Sequence, residues 1–275
     1  MAQTNPYVVT AAEIYEIIEE SPTIRTLKIK PETPIPFKTG QFIELTIPNI
    51  GEGPFTPSST DNISEVMDIT IMKAGFVTEH VHKTNVGDRI GIRGPYGTRY
   101  PIQDWYGKDI LIMGGGVGMA PTRSLFLTLL DSIEKYNSIT FLAGARTPKD
   151  MIYKQYIDGW RKIDKVNFFR SVDRIPEGEE WGEEVCLITK LLDKIDINPR
   201  GNPVVVCGPP IMMKFATYDL LKYGYADQDI YLSMEKKMYC GIGHCRHCVI
   251  GKYYACKDGP VFTYDKVKNE ENIWE

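Results

Sequence analysis

The chain has 275 residues, 43% of them apolar and 25% charged, a globular composition that excludes a disordered, collagen-like or mucin-like polymer. At roughly 150 residues per domain, that length predicts about two domains with room for sizeable cores. Thirty-two Lys and Arg against 36 Asp and Glu leave a formal charge of -4, so the positive field that a nucleic acid requires is missing and no nucleic-acid partner is expected.

Met1 to Thr10 hold no Lys or Arg and no apolar run of leader length, and nowhere do about 18 apolar residues follow one another. The expectation is a cytoplasmic chain with no integral membrane segment. Residues 1–105 then contain short β-branched runs at Thr23 to Lys30, Gln41 to Ile47, Asp68 to Met72 and Arg89 to Arg93, broken by Pro, Gly, Asn and Asp. This rhythm predicts an antiparallel barrel or sandwich.

From Lys108 compact apolar strands alternate with helical patterns. Strands are predicted at Asp109 to Met113, Ser138 to Ala143, Lys165 to Phe169, Pro203 to Cys207 and Asp229 to Met234. Helices are predicted at Pro121 to Tyr136, Asp150 to Trp160, Ile188 to Ile195 and Ile211 to Tyr223. Five strands joined by helices form a doubly wound parallel sheet over residues 106–234, giving a β + α/β fold class overall. Residues 235–275 form a short cysteine-rich piece, too small to hold a core without a metal staple. Its closing stretch, Lys266 to Glu275, reads as a frayed or docked tail.

Four of the six cysteines fall in that last piece, as Cys240, Cys245, Cys248 and Cys256 with spacing C-x4-C-x2-C-x7-C. The opening C-x4-C-x2-C is the spacing of plant-type [2Fe-2S] proteins, and Gly241, Gly243 and Gly251 allow a backbone to wrap closely with its N–H groups turned towards sulfur. A structural zinc site normally uses two tight C-x2-4-C knuckles, which Cys248 to Cys256 is too wide to supply. His244 and His247 raise a Rieske centre, but the second element it needs has Gly259 where a histidine should stand, so both histidines read as rim residues.

Two turns are candidates for phosphate binding. Gly114-Gly115-Gly116-Val117-Gly118-Met119-Ala120-Pro121 follows a strand and opens a helix, where glycines allow close approach of a pyrophosphate and the helix dipole favours an anion. Met119 fills the last glycine's place, and a plain tight turn would look similar. Cys207-Gly208-Pro209 leaves another strand at the edge where open α/β folds bind ligands. An isolated Cys207 is also what a buried strand-end thiol looks like.

Asp88 to Gly97, Gly114 to Pro121 and Cys207 to Pro209, in this order and spacing, resemble the ferredoxin-NADP reductase superfamily over nearly the whole chain. Cys240 to Cys256 followed by Asp258-Gly259-Pro260-Val261-Phe262 is similar to one branch of it. That branch includes sulfhydrogenase gamma subunits, one of the subunits of anaerobic sulfite reductase, the electron-transfer subunit of dihydroorotate dehydrogenase and flavin subunits feeding heterodisulfide reductase-like complexes. The resemblance implies three parts: an FAD-binding β-barrel (1–105), an NAD(P)-binding α/β domain (106–234) and a [2Fe-2S]-binding lobe with its tail (235–275).

Residue by residue, the resemblance places Pro54, Phe55, Thr56, Pro57, Ser58 and Ser59 along the flavin, with Thr56 near its reactive N5. It places Ile71, Met72, Lys73, Gly75, Val77 and Thr78 on the flavin's phosphate side and puts Gly94 in the flavin-domain motif. Gly115, Gly116, Val117, Gly118, Ala120 and Pro121 hold the nicotinamide nucleotide's pyrophosphate, while Cys207, Gly208 and Pro209 lie near the nicotinamide, Thr56 and Cys207 being on the reacting side. Cys240, Cys245, Cys248 and Cys256 are the implied cluster ligands. The arginine usual at the head of the flavin motif is replaced by Gly53, so other cations, Lys73 or Arg99, are expected to neutralise the FAD phosphate. Arg146, after the second parallel strand, either meets a 2'-phosphate or pairs with Asp150. His80 and His82 read as surface residues.

The implied function is an electron-transfer subunit, oxidising NAD(P)H or reducing NAD(P)+. It passes electrons between a nicotinamide coenzyme, FAD and a [2Fe-2S] cluster, in exchange with redox subunits of a hydrogenase, heterodisulfide reductase-like or sulfite reductase-like complex. Alternatives are a stand-alone reductase serving ferredoxin or an oxygenase, the dihydroorotate dehydrogenase electron-transfer subunit, or, in another class, a non-catalytic module with structural metal.

Overall fold

The structure, a computed structural model, describes residues 5–62 and 65–274. Met1 to Thr4 and Glu275, the outermost parts of the leader and tail expectations, lie outside the described residues. The first part runs through β1 (Thr10–Ser21), β2 (Ile24–Pro31), β3 (Phe42–Ile47), β4 (Gly51–Phe55), β5 (Met67–Met72), the short α1 (Phe76–Val81) and β6 (Arg89–Tyr96). Their order in the sheet is β4-β3-β6-β1-β2-β5, all pairings antiparallel, and a bridge between Pro57 and Ile69 brings the two edges together as a barrel. Period-two alternation turns Leu27 and Ile29, Ile43 and Leu45, Ile69 and Ile71, and Ile90 and Ile92 into one buried core.

Two of these strands go beyond the predicted runs. β1 shifts register between Ile14 and Glu16 and again between Glu19 and Ser21, which breaks the alternation that would announce it. β4, Gly-Glu-Gly-Pro-Phe, has almost no intrinsic strand preference and is held by its pairing with β3.

The second part comprises β7 (Asp109–Gly115), α2 (Met119–Leu130), β8 (Ser138–Ala145), α3 (Lys154–Trp160), β9 (Val166–Val172), β10 (Glu184–Val185), β11 (Val204–Cys207), α4 (Pro210–Lys222) and β12 (Ile230–Ser233). The five predicted parallel strands are present as β7, β8, β9, β11 and β12, with β10 adding a parallel edge. Every residue of β11 is buried, as a strand covered on both faces should be.

α4 matches its predicted span to within a residue at each end, whereas the other three predicted helices depart from their apolar patterns. Residues Ile188–Lys194 form a 3-10 turn rather than an α-helix, with Ile188, Leu191 and Leu192 buried and Ile188 lying against Gly144 of β8. α2 stops at Leu130, where the Asp131 carboxylate accepts hydrogen bonds from Thr60 at 2.5 Å and Asn62 at 2.6 Å on the barrel. α3 begins only at Lys154, since Tyr153 is left-handed at φ 60° and its N–H donates 2.8 Å to the Glu20 carboxylate.

The last part carries β13 (Val249–Ile250), β14 (Tyr253–Tyr254), α5 (Ala255–Asp258), β15 (Val261–Thr263) and α6 (Tyr264–Val267). β15 pairs antiparallel with β12, so the cysteine-bearing segment is hydrogen-bonded into the large sheet. Its apolar residues share one core with barrel residues Phe42 and Tyr96 and sheet residues Val206 and Leu232. The tail docks rather than frays: Val267 and Ile273 are buried, and Glu270 bonds Lys252 across the lobe.

Candidate functional site

The cysteine pocket is built by one hairpin and two left-handed glycines. β13 and β14 turn about Gly251 at φ 51°, which returns the chain so that the Ala255 N–H meets the Cys248 carbonyl at 2.8 Å. Cys248 Sγ thereby lies 3.2 Å from Cys256 Sγ. On the other side, Gly241 (φ 75°) and Gly243 (φ 76°) fold residues 240–245 into a loop whose backbone faces inward. The N–H of Gly243 donates to Cys256 Sγ at 3.0 Å, and those of His244 and Cys245 donate to Cys240 Sγ at 3.2 and 3.4 Å.

All four thiols are free of disulfides; Cys240, Cys248 and Cys256 are buried and Cys245 is half-buried. The His247 N–H holds the Cys245 thiol below its ordinary range, whereas burial and the neighbouring Cys248 push Cys256 up to about 12. Among the described residues, no group of three or more His, Cys, Asp or Glu side chains is arranged to hold a metal ion as the chain stands. Sulfur donors gathered in one pocket and already hydrogen-bonded by backbone amides nevertheless fit an iron-sulfur cluster, whose sulfurs require such donors. His244 and His247 are exposed at the rim, His247 packing edge-on against Tyr239 with ring centroids 4.9 Å apart.

A buried arginine joins this pocket to the barrel. Arg93 on β6 spends every guanidinium hydrogen: Nε and Nη2 on Glu52, Nη2 also on the Tyr239 carbonyl at 2.6 Å, and Nη1 on Tyr96 at 3.1 Å and the Cys240 carbonyl at 2.9 Å. Burial alone would lower its pKa, but the bonds to Glu52 and Tyr96 carry it above the ordinary value. Glu44 lies behind it, 3.9 Å from Nη2 and fully buried, with neither carboxylate oxygen hydrogen-bonded. Burial pushes Glu44 up to about 8 against the pull of Arg93, so the neutral acid predominates at pH 7. Sequence reasoning missed both residues. Their only signal is a charge inside an otherwise apolar strand.

The two glycine turns meet at the switch point of the sheet. β7 precedes both of its neighbours, β8 and β11, along the chain, and Gly114 lies in register with Cys207 where both strands end. A Cβ on Gly118 would stand 2.5 Å from the Cys207 carbonyl oxygen, so only glycine lets the turns touch. Gly116, at φ 56°, has nothing within 4 Å of where its Cβ would be and leaves an open cradle at the start of α2. Gly115 and Gly208 both abut Met212 of α4, which floors the crevice. Ala120 is buried on α2 and Pro121, half-buried, lies in its first turn, with Val117 and Pro209 beside the cradle.

Burial pushes the Cys207 thiol up to about 12, although the Ser233 hydroxyl draws it the other way, so this sulfur stays protonated at neutral pH. The ring of Tyr100 is buried nearby and Glu235 follows, its pKa raised by burial. Ser233, Glu235 and Tyr100 carry no motif that singles them out in the sequence.

The segment predicted to lie along a flavin continues β4 towards its bridge with β5. Pro54, Phe55, Thr56 and Ser59 are half-buried, while Pro57 and Ser58 are buried. The Ser58 hydroxyl shares a buried chain with Thr70 (2.9 Å), Tyr153 (2.6 Å from Thr70) and Thr26 (2.8 Å from Thr70), which ends on Glu20. Arg123 of α2 closes this seam by donating to the Ser58 carbonyl at 2.7 Å and the Asp68 carboxylate at 3.0 Å, with its guanidinium over the rings of Tyr153 and Tyr156. The turn Gly116–Gly118 also packs against β5, so the glycine cradle adjoins the segment predicted to lie along a flavin. An arginine inside the apolar run Met119–Leu130 was the available signal for this junction.

The remaining predicted positions are scattered. Ile71 points into the barrel core, and Met72, Lys73 and Gly75 are exposed beyond it. Thr78 is half-buried, and its hydroxyl already accepts the N–H groups of Ala74 and Gly75 at 2.8 and 2.9 Å, while Val77 packs on the core. Gly94 precedes a cis proline where β6 meets Phe42. Gly53 packs against Phe55, and Lys73 and Arg99 are exposed, with no cation buried at that head position among the described residues. Arg146 is 78% exposed and 3.9 Å from Asp150, the alternative pairing expected for it. His80 is half-buried beside Phe76. His82 is not a plain surface residue: burial pushes its pKa down, and Nε2 lies 3.0 Å from the Ile71 carbonyl.

Comparison with known proteins follows the same three parts. Residues 11–100 match the family described as oxidoreductase FAD-binding domain, residues 112–217 the oxidoreductase NAD-binding domain, and residues 235–268 the iron-sulfur cluster binding domain of dihydroorotate dehydrogenase B. The chain is 34% identical over 273 residues to sulfhydrogenase 1 subunit gamma of Pyrococcus furiosus, covering 96% of this chain and 94% of that one. It is also 34% identical over 259 residues to a probable dihydroorotate dehydrogenase B (NAD(+)) electron transfer subunit of Methanocaldococcus jannaschii, covering 93% and 90%. In fold it is similar to a solved NADH-dependent reduced ferredoxin-NADP oxidoreductase, with a TM-score of 0.74 at 23% identity over 98% of this chain and 93% of that one.

Proposed function

The chain belongs to the iron-sulfur flavoprotein electron-transfer subunits of the ferredoxin-NADP reductase superfamily, and from that premise we propose a relay in which each of its three parts holds one redox group. It is an NAD(P)H-dependent oxidoreductase carrying FAD and an iron-sulfur cluster. The proposal assigns FAD to residues 1–105, the coenzyme to 106–234 and a [2Fe-2S] cluster to 235–275. The observation that carries it is the four-cysteine pocket with amides turned on its sulfurs, built onto the same sheet whose glycine turns form an open cradle.

When bound, flavin and cluster supply the conversion between a two-electron hydride and single electrons. The protein's task is to bind and orient. Gly115, Gly116, Val117 and Gly118 offer backbone N–H groups and space to a pyrophosphate, with Ala120 and Pro121 setting the start of α2 behind them. Cys207, a neutral thiol, with Gly208 and Pro209 shapes the floor on which the nicotinamide rests. Pro54 to Ser59, with Thr56 on the reacting side, lie along the flavin, and Ile71 to Thr78 run on its phosphate side. Hydride transfer needs no protein base, because the hydrogen leaves the nicotinamide with its electron pair, and the protonated Cys207 beside it serves to shape the site. Cys240, Cys245, Cys248 and Cys256 ligate the cluster.

Cys245 is the most accessible of the four ligands, which favours electron exit through the lobe to another chain. The partners that fit are the larger redox subunits of a hydrogenase-like complex, with sulfite reductase-like and heterodisulfide reductase-like assemblies drawing on the same chemistry. Among the described residues no helix is long and apolar enough to cross a membrane, which suits a cytoplasmic subunit. The test is purification under anaerobic conditions from the native host. Co-purifying larger redox subunits are expected; an isolated chain that reduces free ferredoxin at full rate would favour the stand-alone reading.

A further inference from the structure

We propose that Arg93 and Glu52, both on the barrel, set the reduction potential of the centre held by the C-terminal lobe, with Arg93 acting as the positioning residue for the Cys240 loop. The inference rests on the iron-sulfur reading above and adds a role for two residues outside the lobe. Arg93 has a side chain only 2% exposed, and its guanidinium donates to the carbonyls of Tyr239 and Cys240, the peptide groups immediately before and after the first ligand. Cys240 Sγ in turn accepts the amides of His244 and Cys245, so the arginine grips the residue on which that loop is organised. Chain direction after Cys240 is fixed against the same group. A Cβ on Gly241 would stand 2.8 Å from the Tyr96 ring, and Tyr96 takes another Arg93 hydrogen bond.

Glu52 occupies two of the five guanidinium hydrogens, and the other three are also spent, all on Tyr96 and the cysteine loop. A lysine, with three donors and no fork, cannot repeat this. Reduction of a cluster adds negative charge. A cation fixed beside its loop in a site of low dielectric therefore favours the reduced form, and an adjacent carboxylate opposes it. Glu52 is 34% exposed and is partly screened by solvent, so its influence is the smaller of the two.

The experiment is a redox titration of the holoprotein, followed by electron paramagnetic resonance of the reduced cluster and, in parallel, by flavin absorbance. Arg93→Gln is expected to lower the cluster's midpoint potential, Glu52→Gln to raise it by a smaller amount, and Arg93→Lys to shift it less than Arg93→Gln. The flavin potential should hold in all three. Opposite signs are what a structural role would not produce, since loosening the loop moves both variants the same way. Shifts of the same sign, or no shift, would overturn the proposal. Should Arg93→Gln fail to retain the cluster, Glu52→Gln decides alone: an upward shift supports the electrostatic role and its absence overturns it. A chain with its native residues that shows no cluster signal would refute the iron-sulfur reading itself, and this inference with it.

Discussion

Each of the barrel's two seams, one with the nucleotide part and one with the lobe, is closed by one buried arginine, and the two are used differently. Arg123 joins the nucleotide part to the barrel by gripping a carboxylate and a carbonyl between two tyrosine rings. Arg93 joins the lobe to the barrel by gripping carbonyls of the loop that carries Cys240, a proposed cluster ligand. The first seam holds preformed elements, strand ends and a helix, whose shape does not depend on a ligand. The second holds a loop of left-handed glycines with little regular structure of its own. A buried cation therefore serves as a strut in one place and as part of a redox site's surroundings in the other.

The largest effect that could separate the seams is loss of the cluster. Cys248→Ser should abolish the cluster's visible absorbance while flavin stays bound and is still reduced by the coenzyme; a variant that loses flavin reduction as well would show the seams to be one unit. Next, substitutions in the cradle should act on coenzyme binding and leave the cluster's spectrum unchanged. Gly118→Ala places a methyl against the Cys207 carbonyl and should raise the coenzyme's KM by roughly tenfold or more, since small misplacements are costly there. Gly116→Ala meets no protein neighbour but puts its methyl into the open cradle, so it should weaken coenzyme binding and also cost about 1 kcal/mol of stability for its left-handed backbone. A KM unchanged by both substitutions would contradict the placing of the coenzyme at this turn.

Arg123→Met leaves the Asp68 carboxylate at the seam without its cation and should destabilise the fold by about 3 kcal/mol in denaturant melts, without moving the cluster's spectrum. A pH-dependent effect concerns Glu44. Its folded-state pKa is raised to about 8 from 4.5, so the native state binds more protons than the unfolded chain between those values, and stability falls as pH rises through that window. Glu44→Gln should flatten that part of the stability profile; an unchanged slope would mean that Glu44 is not the group responsible.

How much of this could be read from the sequence depended on how local each feature is. The four proposed cysteine ligands lie within residues 240–256, and the glycine turn is one continuous stretch, so spacing alone announces them as candidates. The five parallel strands are short apolar runs with distinct ends, and each stands where its run predicts it. β1 hid behind two register shifts and β4 behind glycine and proline, both strands being specified by partners rather than by their own residues. The 3-10 turn at Ile188–Lys194 carries an apolar pattern that an α-helix would share, so periodicity does not distinguish the tighter form. The arginines of the seams are the clearest loss. Arg93 meets Cys240 and Arg123 meets Asp68 across long stretches of chain, and a single charge in an apolar run does not name its partner. The missing cation of the flavin motif belongs here too: Gly53 departs from the family's pattern, and the exposed Lys73 and Arg99 are the nearest replacements the sequence offered.

The relay itself is tested most directly by an anaerobic visible spectrum of the purified chain before and after stoichiometric NADH or NADPH, with iron and flavin assayed on the same sample. The expected result is flavin with about two irons per chain, both chromophores bleaching on addition of one of the coenzymes, which would also identify the preferred one. A colourless protein containing zinc, unresponsive to either coenzyme, would contradict it.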